Sequence, residues 1–182
     1  MIDYTKIEGL TQDSREIKKA IELNKYRLNL PAVYEGNEMN SVVRPWNRIS
    51  NVGKEYDTRG VMCVPTPYEA GINNHGVAIL YQLMNEYEQY YMERSYMPEE
   101  RLYKYMIKEK LPVGFGYETK HPFIDFDWVG FSTYFELQFF NIIDILHKSG
   151  IPVYSNERTT NEYPLVIMGG ISAYCAEPIA DI

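Results

Sequence analysis

The stretch DWVGFSTYFELQFFNIIDILHKSG, residues 127–150, decides the fold. Its first six residues, DWVGFS (127–132), are a short apolar run that suits a buried strand. Thr133 and Glu136 stand at capping-box spacing, and Phe135, Phe139, Ile142, Ile143 and Leu146 recur as one face of a helix that ends near Gly150. Two more apolar runs follow, IPVY (151–154) and PLVIM (164–168), the second closed by Gly169-Gly170. Working back towards the N-terminus, GVMCVP (60–65) reads as a buried strand ending at Pro65. After a turn, Val77, Leu80, Leu83, Met84 and Tyr87 fall at helical spacing. An edge strand is expected near Tyr91–Ser95, then a helix opening at Pro98-Glu99-Glu100, with Leu102, Tyr105 and Met106 towards the core. Continuous apolar strands alternating with helices predict an α/β fold, a doubly wound and mainly parallel sheet, whose ligands bind beyond the carboxyl ends of the strands.

The first part of the chain differs. Asp13 and Glu16 form a capping-box pattern before an apolar stripe of Ile17, Ala20, Ile21 and Leu28, which predicts a helix over 13–26. The stretch 34–48, YEGNEMNSVVRPWNR, reads as an irregular segment lying across a neighbouring surface. Residues 1–58 are therefore expected to be a helical and irregular extension, and 59–182 the α/β domain. With 182 residues, 45% of them hydrophobic and 24% charged, the chain can bury a core, which excludes disorder. Residues 60–182 hold eight Lys/Arg against sixteen Asp/Glu, and such a surface repels a nucleic-acid backbone. No apolar run is long enough for a membrane span and MIDYTKIEGL lacks the features of a signal peptide, so a cytoplasmic protein is expected.

Three loops fall at strand carboxyl ends. PTPYEAGINNHG (65–76) offers Gly71 and Gly76 for tight turns and Asn73 or Asn74 as a helix cap that leaves free amides towards a ligand. It is not a dinucleotide fingerprint. In the second loop, Ser132-Thr133, Glu136 is either a capping carboxylate or one that touches a ligand. The third, GGISAYCAEP (169–178), carries paired glycines that either admit a ligand or only turn the chain. Cys63 reads as a small buried hydrophobe, Cys175 as a loop residue with no partner base, and the 17 tyrosines as packing groups with polar tips.

Six blocks carry a family resemblance: PTPYEAGINNHG, ILYQLMN (79–85), ERSYMP (93–98), FDWVGFSTYFEL (126–137), GIPVYSNER (150–158) and PLVIMGGISAYCAEPIADI (164–182). In this order and spacing, the chain from about residue 34 onward resembles the N-terminal region of large radical S-adenosylmethionine (radical SAM) proteins. There a flavodoxin-like, cobalamin-binding-like domain precedes the iron–sulfur core. The resemblance implies a crevice lined by Tyr68, Glu69, Gly71, Asn73, Asn74, Gly76, Ser132, Glu136, Gly169, Gly170, Glu177 and Pro178, open to a small-molecule ligand. It assigns none of them a catalytic role. Departures from the pattern are Thr66 for an acidic residue, Ile72 for Met, Asn73 for Ser, His75 for an apolar residue and Ile171 for Pro.

A cobalt-ligating loop would read Asp-x-His-x-x-Gly, and around His75 both the Asp and the Gly are missing, so no cobalamin ligation is implied. Two cysteines do not make the three-cysteine motif that holds a four-iron cluster and its S-adenosylmethionine. Both are expected in a radical SAM core outside these residues, in cis or in trans, because the family continues beyond the point reached at Ile182. The expected role is to cover or position substrate for that core. The alternatives are a free-standing small-ligand module, or an interaction protein derived from the enzyme. Oligomeric state stays open.

Overall fold

The computed structural model describes residues 7–36, 38–46, 58–158 and 162–182. The end of the irregular stretch, residues 47–48, and the approach to the expected domain boundary, up to residue 57, lie outside the described residues.

Four described strands, β1 (Thr58–Pro67), β2 (Tyr90–Met97), β3 (Trp128–Ser132) and β4 (Leu165–Gly169), form one all-parallel sheet in the order β2-β1-β3-β4. The chain steps outward from β1 in one direction to β2, then crosses back to β3 and β4. Right-handed crossovers therefore place the connecting helices on opposite faces, which makes the fold doubly wound α/β. Helix α3 (His75–Glu86) packs on the face that carries Met92 and Arg94, where the Asn85 amide donates to Met92 O at 2.9 Å. Helices α4 (Glu100–Lys108) and α5 (Gln138–Lys148) share the other face, joined by a 2.6 Å hydrogen bond from the Tyr103 hydroxyl to Asp144. Helix α1 (Ser14–Asn24) packs on α4 through Ile17, Ala20 and Ile21. One helical turn, α2 (Tyr68–Gly71), follows β1 directly. Between these layers lies an apolar core, with Val61, Cys63, Val129, Phe131, Leu102, Met106 and Leu146 inaccessible to solvent or nearly so.

The two edges of the sheet differ. Along β2, Tyr117 N–H donates to Arg94 O at 2.8 Å. A strap over residues 38–46 runs beside the same edge, with Val42 N–H on the Tyr81 hydroxyl at 2.6 Å and the Arg44 guanidinium on the carbonyls of Asn85 and Tyr90 at 2.7 Å. The strap ends at Trp46, stacked on His121 at 3.7 Å under the Arg59 guanidinium. On β4 the side chains of Leu165 and Ile167 are 65% and 43% exposed.

Local details depart from the sequence reading in four places. IPVY (151–154) is not a strand: Ile151 N–H closes the end of α5 on Leu146 O, and Arg158 takes the carbonyls of Pro152 and Val153. Ile151 and Val153 are nonetheless buried, so their apolar character serves the core without a ladder. Helix α5 begins at Gln138 rather than behind a Thr133–Glu136 box. Thr133 is drawn into the β4 ladder, where its N–H donates to Gly169 O at 2.9 Å, and Gln138 Oε1 accepts from Tyr134 N–H at 2.8 Å. In α3 the buried positions are Val77, Tyr81 and Asn85, while Leu80, Leu83 and Tyr87 are about half exposed. Asp13 does cap α1, but on Arg15 N–H, and Glu16 pairs with Lys19 instead of closing a box.

Candidate functional site

A parallel sheet puts the carboxyl ends of all its strands on one rim, and the order β2-β1-β3-β4 puts the switch point between β1 and β3. Two predicted residues meet there. Asn74 is the N-cap of α3: its Oδ1 accepts from Val77 N–H at 3.1 Å, while its Nδ2 donates to Ser132 Oγ at 3.0 Å. The tips of β1 and β3 are tied in this way at the mouth of the crevice. One strand further on, the Gly169 carbonyl accepts from both the backbone N–H and the hydroxyl of Thr133, so the third loop joins the same rim.

The first loop is held from the β2 side. Tyr68 packs edge-on against Tyr96 with ring centroids 5.1 Å apart, and its hydroxyl donates to the Glu38 carboxylate of the strap. Burial, together with that carboxylate, pushes the Tyr68 phenol up to about 12. Gly71 is buried where a Cβ would lie 2.7 Å from the Tyr96 ring and 3.1 Å from Thr66 Oγ1, so the close approach of α2 to β2 requires glycine. Gly170 adopts φ +96, and a Cβ there would meet Thr133 O at 2.1 Å. Gly169 beside it faces open space.

Tyr68, Gly71, Asn74, Ser132, Gly169 and Gly170 thus share one rim. Glu69, Asn73 and Gly76 belong to the first loop and the start of α3 but are exposed, and Glu136 is an exposed loop residue without the capping bond its spacing suggested. Glu177 and Pro178 stand exposed in the last 3-10 turn, with no hydrogen bond to the rim among the described residues. Cys63 is buried inside β1, where desolvation pushes its thiol up to about 12, whereas Cys175 is exposed. His75 is exposed as the first residue of α3, has no carboxylate partner among the described residues, and has Asn73 where an orienting Asp would stand. These residues do not fit a histidine-ligated cobalamin.

A buried charged cluster beside this rim escaped the sequence reading. Glu93 on β2 is fully buried, and its carboxylate accepts from Thr119 N–H at 2.9 Å, the Thr119 hydroxyl at 2.6 Å and Glu118 N–H at 3.1 Å. Arg94 donates through Nε to Glu118 at 2.8 Å and through Nη1 to Glu38 at 2.8 Å, with the Tyr81 ring 5.0 Å from its guanidinium carbon. Burial, reinforced by the Glu118 carboxylate, pushes Glu93 up to about 7, and burial pushes the Lys120 ammonium down to about 8. The signal was adjacent Glu93 and Arg94 inside a strand otherwise dominated by Tyr and Met, since such residues are buried only when paired.

Among the described residues no helix is long and apolar enough to cross a membrane. No curated protein and no solved structure matches the chain. A family model described as radical SAM proteins, N-terminal, does match, over residues 76–182, from the first turn of α3 through both later rim loops. That match spans more than half of the sequence, and the chain belongs to this family of radical SAM protein N-terminal regions.

Proposed function

We propose that the chain is a noncatalytic N-terminal domain that covers or positions substrate for a radical SAM core carried in cis or by a partner, with the β1/β3 crevice turned towards that substrate. The family match supports the domain assignment. The observation that carries the docking role is the uneven covering of the sheet. Parallel sheets are buried on both faces, yet on the α3 face the side chains of Leu165 and Ile167 stay exposed. On α3, whose Tyr81 faces the strap, the side chains of Leu80 and Leu83 are also about half exposed. Exposed apolar surface of this kind marks an interaction site.

Mixing the chain with a radical SAM core of the family that lacks its own N-terminal region tests the reading. The expected result is a stable complex in which the core consumes substrate faster than alone. A folded chain that neither binds the core nor alters its turnover contradicts it.

A second reading, a free-standing small-ligand module, draws support from the Asn74–Ser132 bridge at the switch point. Thermal-shift titration with cobalamins, S-adenosylmethionine and nucleotides separates the two. A ligand at a hundred times its dissociation constant stabilises by about 2.7 kcal/mol, and no shift with any of them removes the module.

A further inference from the structure

The Glu38 carboxylate stands between two donors that are fixed without it. Tyr68 is seated on Tyr96 and offers Glu38 its hydroxyl, while Arg94 Nη1 reaches the second oxygen at 2.8 Å. Arg94 is held independently by Glu118, which accepts from its Nε at 2.8 Å and from its backbone N–H at 2.9 Å, and by the Tyr81 ring. The Glu118 side chain is fully buried and that of Arg94 is 13% exposed, whereas Glu38 is 22% exposed. Glu38 enters from a tight turn in which Ser41 N–H closes on Glu38 O at 2.9 Å and Asn40 adopts φ +70. Close by, the buried Thr66 hydroxyl has no hydrogen-bond partner. It lies near the Tyr96 ring on which Tyr68 rests, the two flanking the point where a Cβ on Gly71 would project.

We propose that Tyr68 and Arg94 form a receptor for the carboxylate of a small organic acid entering the rim, and that Glu38 fills this receptor as an internal substitute which the acid displaces. The inference rests on the reading of the rim as a ligand crevice, extends it to the β2 side of β1, where Arg94 stands opposite Met62, and names the chemistry of that ligand. A phenol and one free guanidinium edge offer two donors to two oxygens of one planar group, the geometry a carboxylate matches. Charge decides against phosphate. An incoming carboxylate replaces the Glu38 carboxylate with no change in charge, while a dianion adds a second negative charge beside buried Glu118 and Glu93. The displaced Glu38 returns to water at low cost because its side chain is already partly solvated.

Thermal melting of the whole chain tests the receptor, with sodium acetate as probe, sodium chloride at equal ionic strength and acetamide as controls. In Glu38→Ala the donors are vacated, and acetate is expected to raise the melting temperature with an apparent constant severalfold lower than in the wild type, where tethered Glu38 competes for the same donors. Acetamide has no such effect, and adding Tyr68→Phe or Arg94→Lys weakens the acetate response several-fold. Glu38→Gln keeps the Tyr68 acceptor and the packing, so a cooperative melt is available even if the alanine variant unfolds; acetate must stabilise it more than the wild type. Equal responses in the wild type and both variants, no response in either variant, or stronger stabilisation by inorganic phosphate overturns the receptor. The docking role fails separately. A chain that takes up acetate but does not bind the core loses that role and keeps the receptor, and one that binds the core without responding to acetate does the reverse.

Discussion

Asn74 and Ser132, 58 residues apart in sequence, are joined by a 3.0 Å hydrogen bond from the Asn74 amide to the Ser132 hydroxyl across the switch point of the sheet. The same Asn74 side chain caps α3, so one residue fixes both the start of the helix and the mouth of the crevice.

Replacing Asn74 with Ala is expected to cost about 1–2 kcal/mol through loss of the cap, with a further loss from the cross-crevice bond. Asn74→Asp keeps the acceptor for Val77 N–H and removes the amide donor, so urea denaturation should place it between Ala and the wild type. Equal loss in the two variants would show that the cap contributes nothing.

The paired glycines of the third loop should behave differently although they are adjacent. Gly170→Ala forces a side chain at φ +96 against Thr133 O and is expected to destabilise by about 1–3 kcal/mol. Gly169→Ala meets open space and should stay within about 0.5 kcal/mol of the wild type. Paired denaturation curves decide the matter, and similar losses at the two positions would contradict the rim geometry.

Stability should dip near neutral pH. Glu93 is held at about 7 from an ordinary value of 4.5, so between these pH values the native state keeps a proton that the unfolded chain has released, and stability falls as pH rises. Lys120 is held at about 8 from 10.5, so over that window the unfolded chain keeps a proton that the native state has released, and stability rises with pH. Urea midpoints from pH 4.5 to about 9 should trace this minimum; above that range the buried Cys63 thiol and tyrosines such as Tyr68, which the fold keeps protonated, lower stability again. Glu93→Gln flattens the lower limb and Lys120→Met the upper. A steady rise from pH 5 to 7 in the wild type would mean that Glu93 is ionised in the fold.

Thiol labelling of the native chain should modify Cys175 and spare Cys63, whose burial in β1 keeps it protonated and out of reach. Two labels in urea and one in buffer are expected, and rapid labelling of both in buffer would place Cys63 elsewhere.

Much of the fold was legible because its signals are local. The apolar runs at 60–65 and 127–132 and an asparagine cap at 73 or 74 depend on neighbours in sequence; strands form over both runs, β1 extending on to Pro67, and Asn74 is the cap. What was misread depends on distant partners. IPVY has the composition of a strand, but Arg158 and the end of α5 take its backbone groups. Thr133 and Glu136 have the spacing of a box, but the Gly169 carbonyl captures Thr133 first. Leu80 and Leu83 sit at core spacing, yet no described layer covers them. The rim itself could be read from strand order, whereas the Glu38–Arg94–Glu118 network could not, since its members come from three separated segments.

Hydrogen–deuterium exchange of β4, measured with and without a radical SAM core, tests the central reading most directly. Amides of Leu165–Gly169 and of the exposed flank of α3 should slow markedly when the core is present, and Ile167→Asp should abolish the slowing without unfolding the chain. Unchanged exchange in β4 and α3, in a mixture where the core is intact, would contradict it.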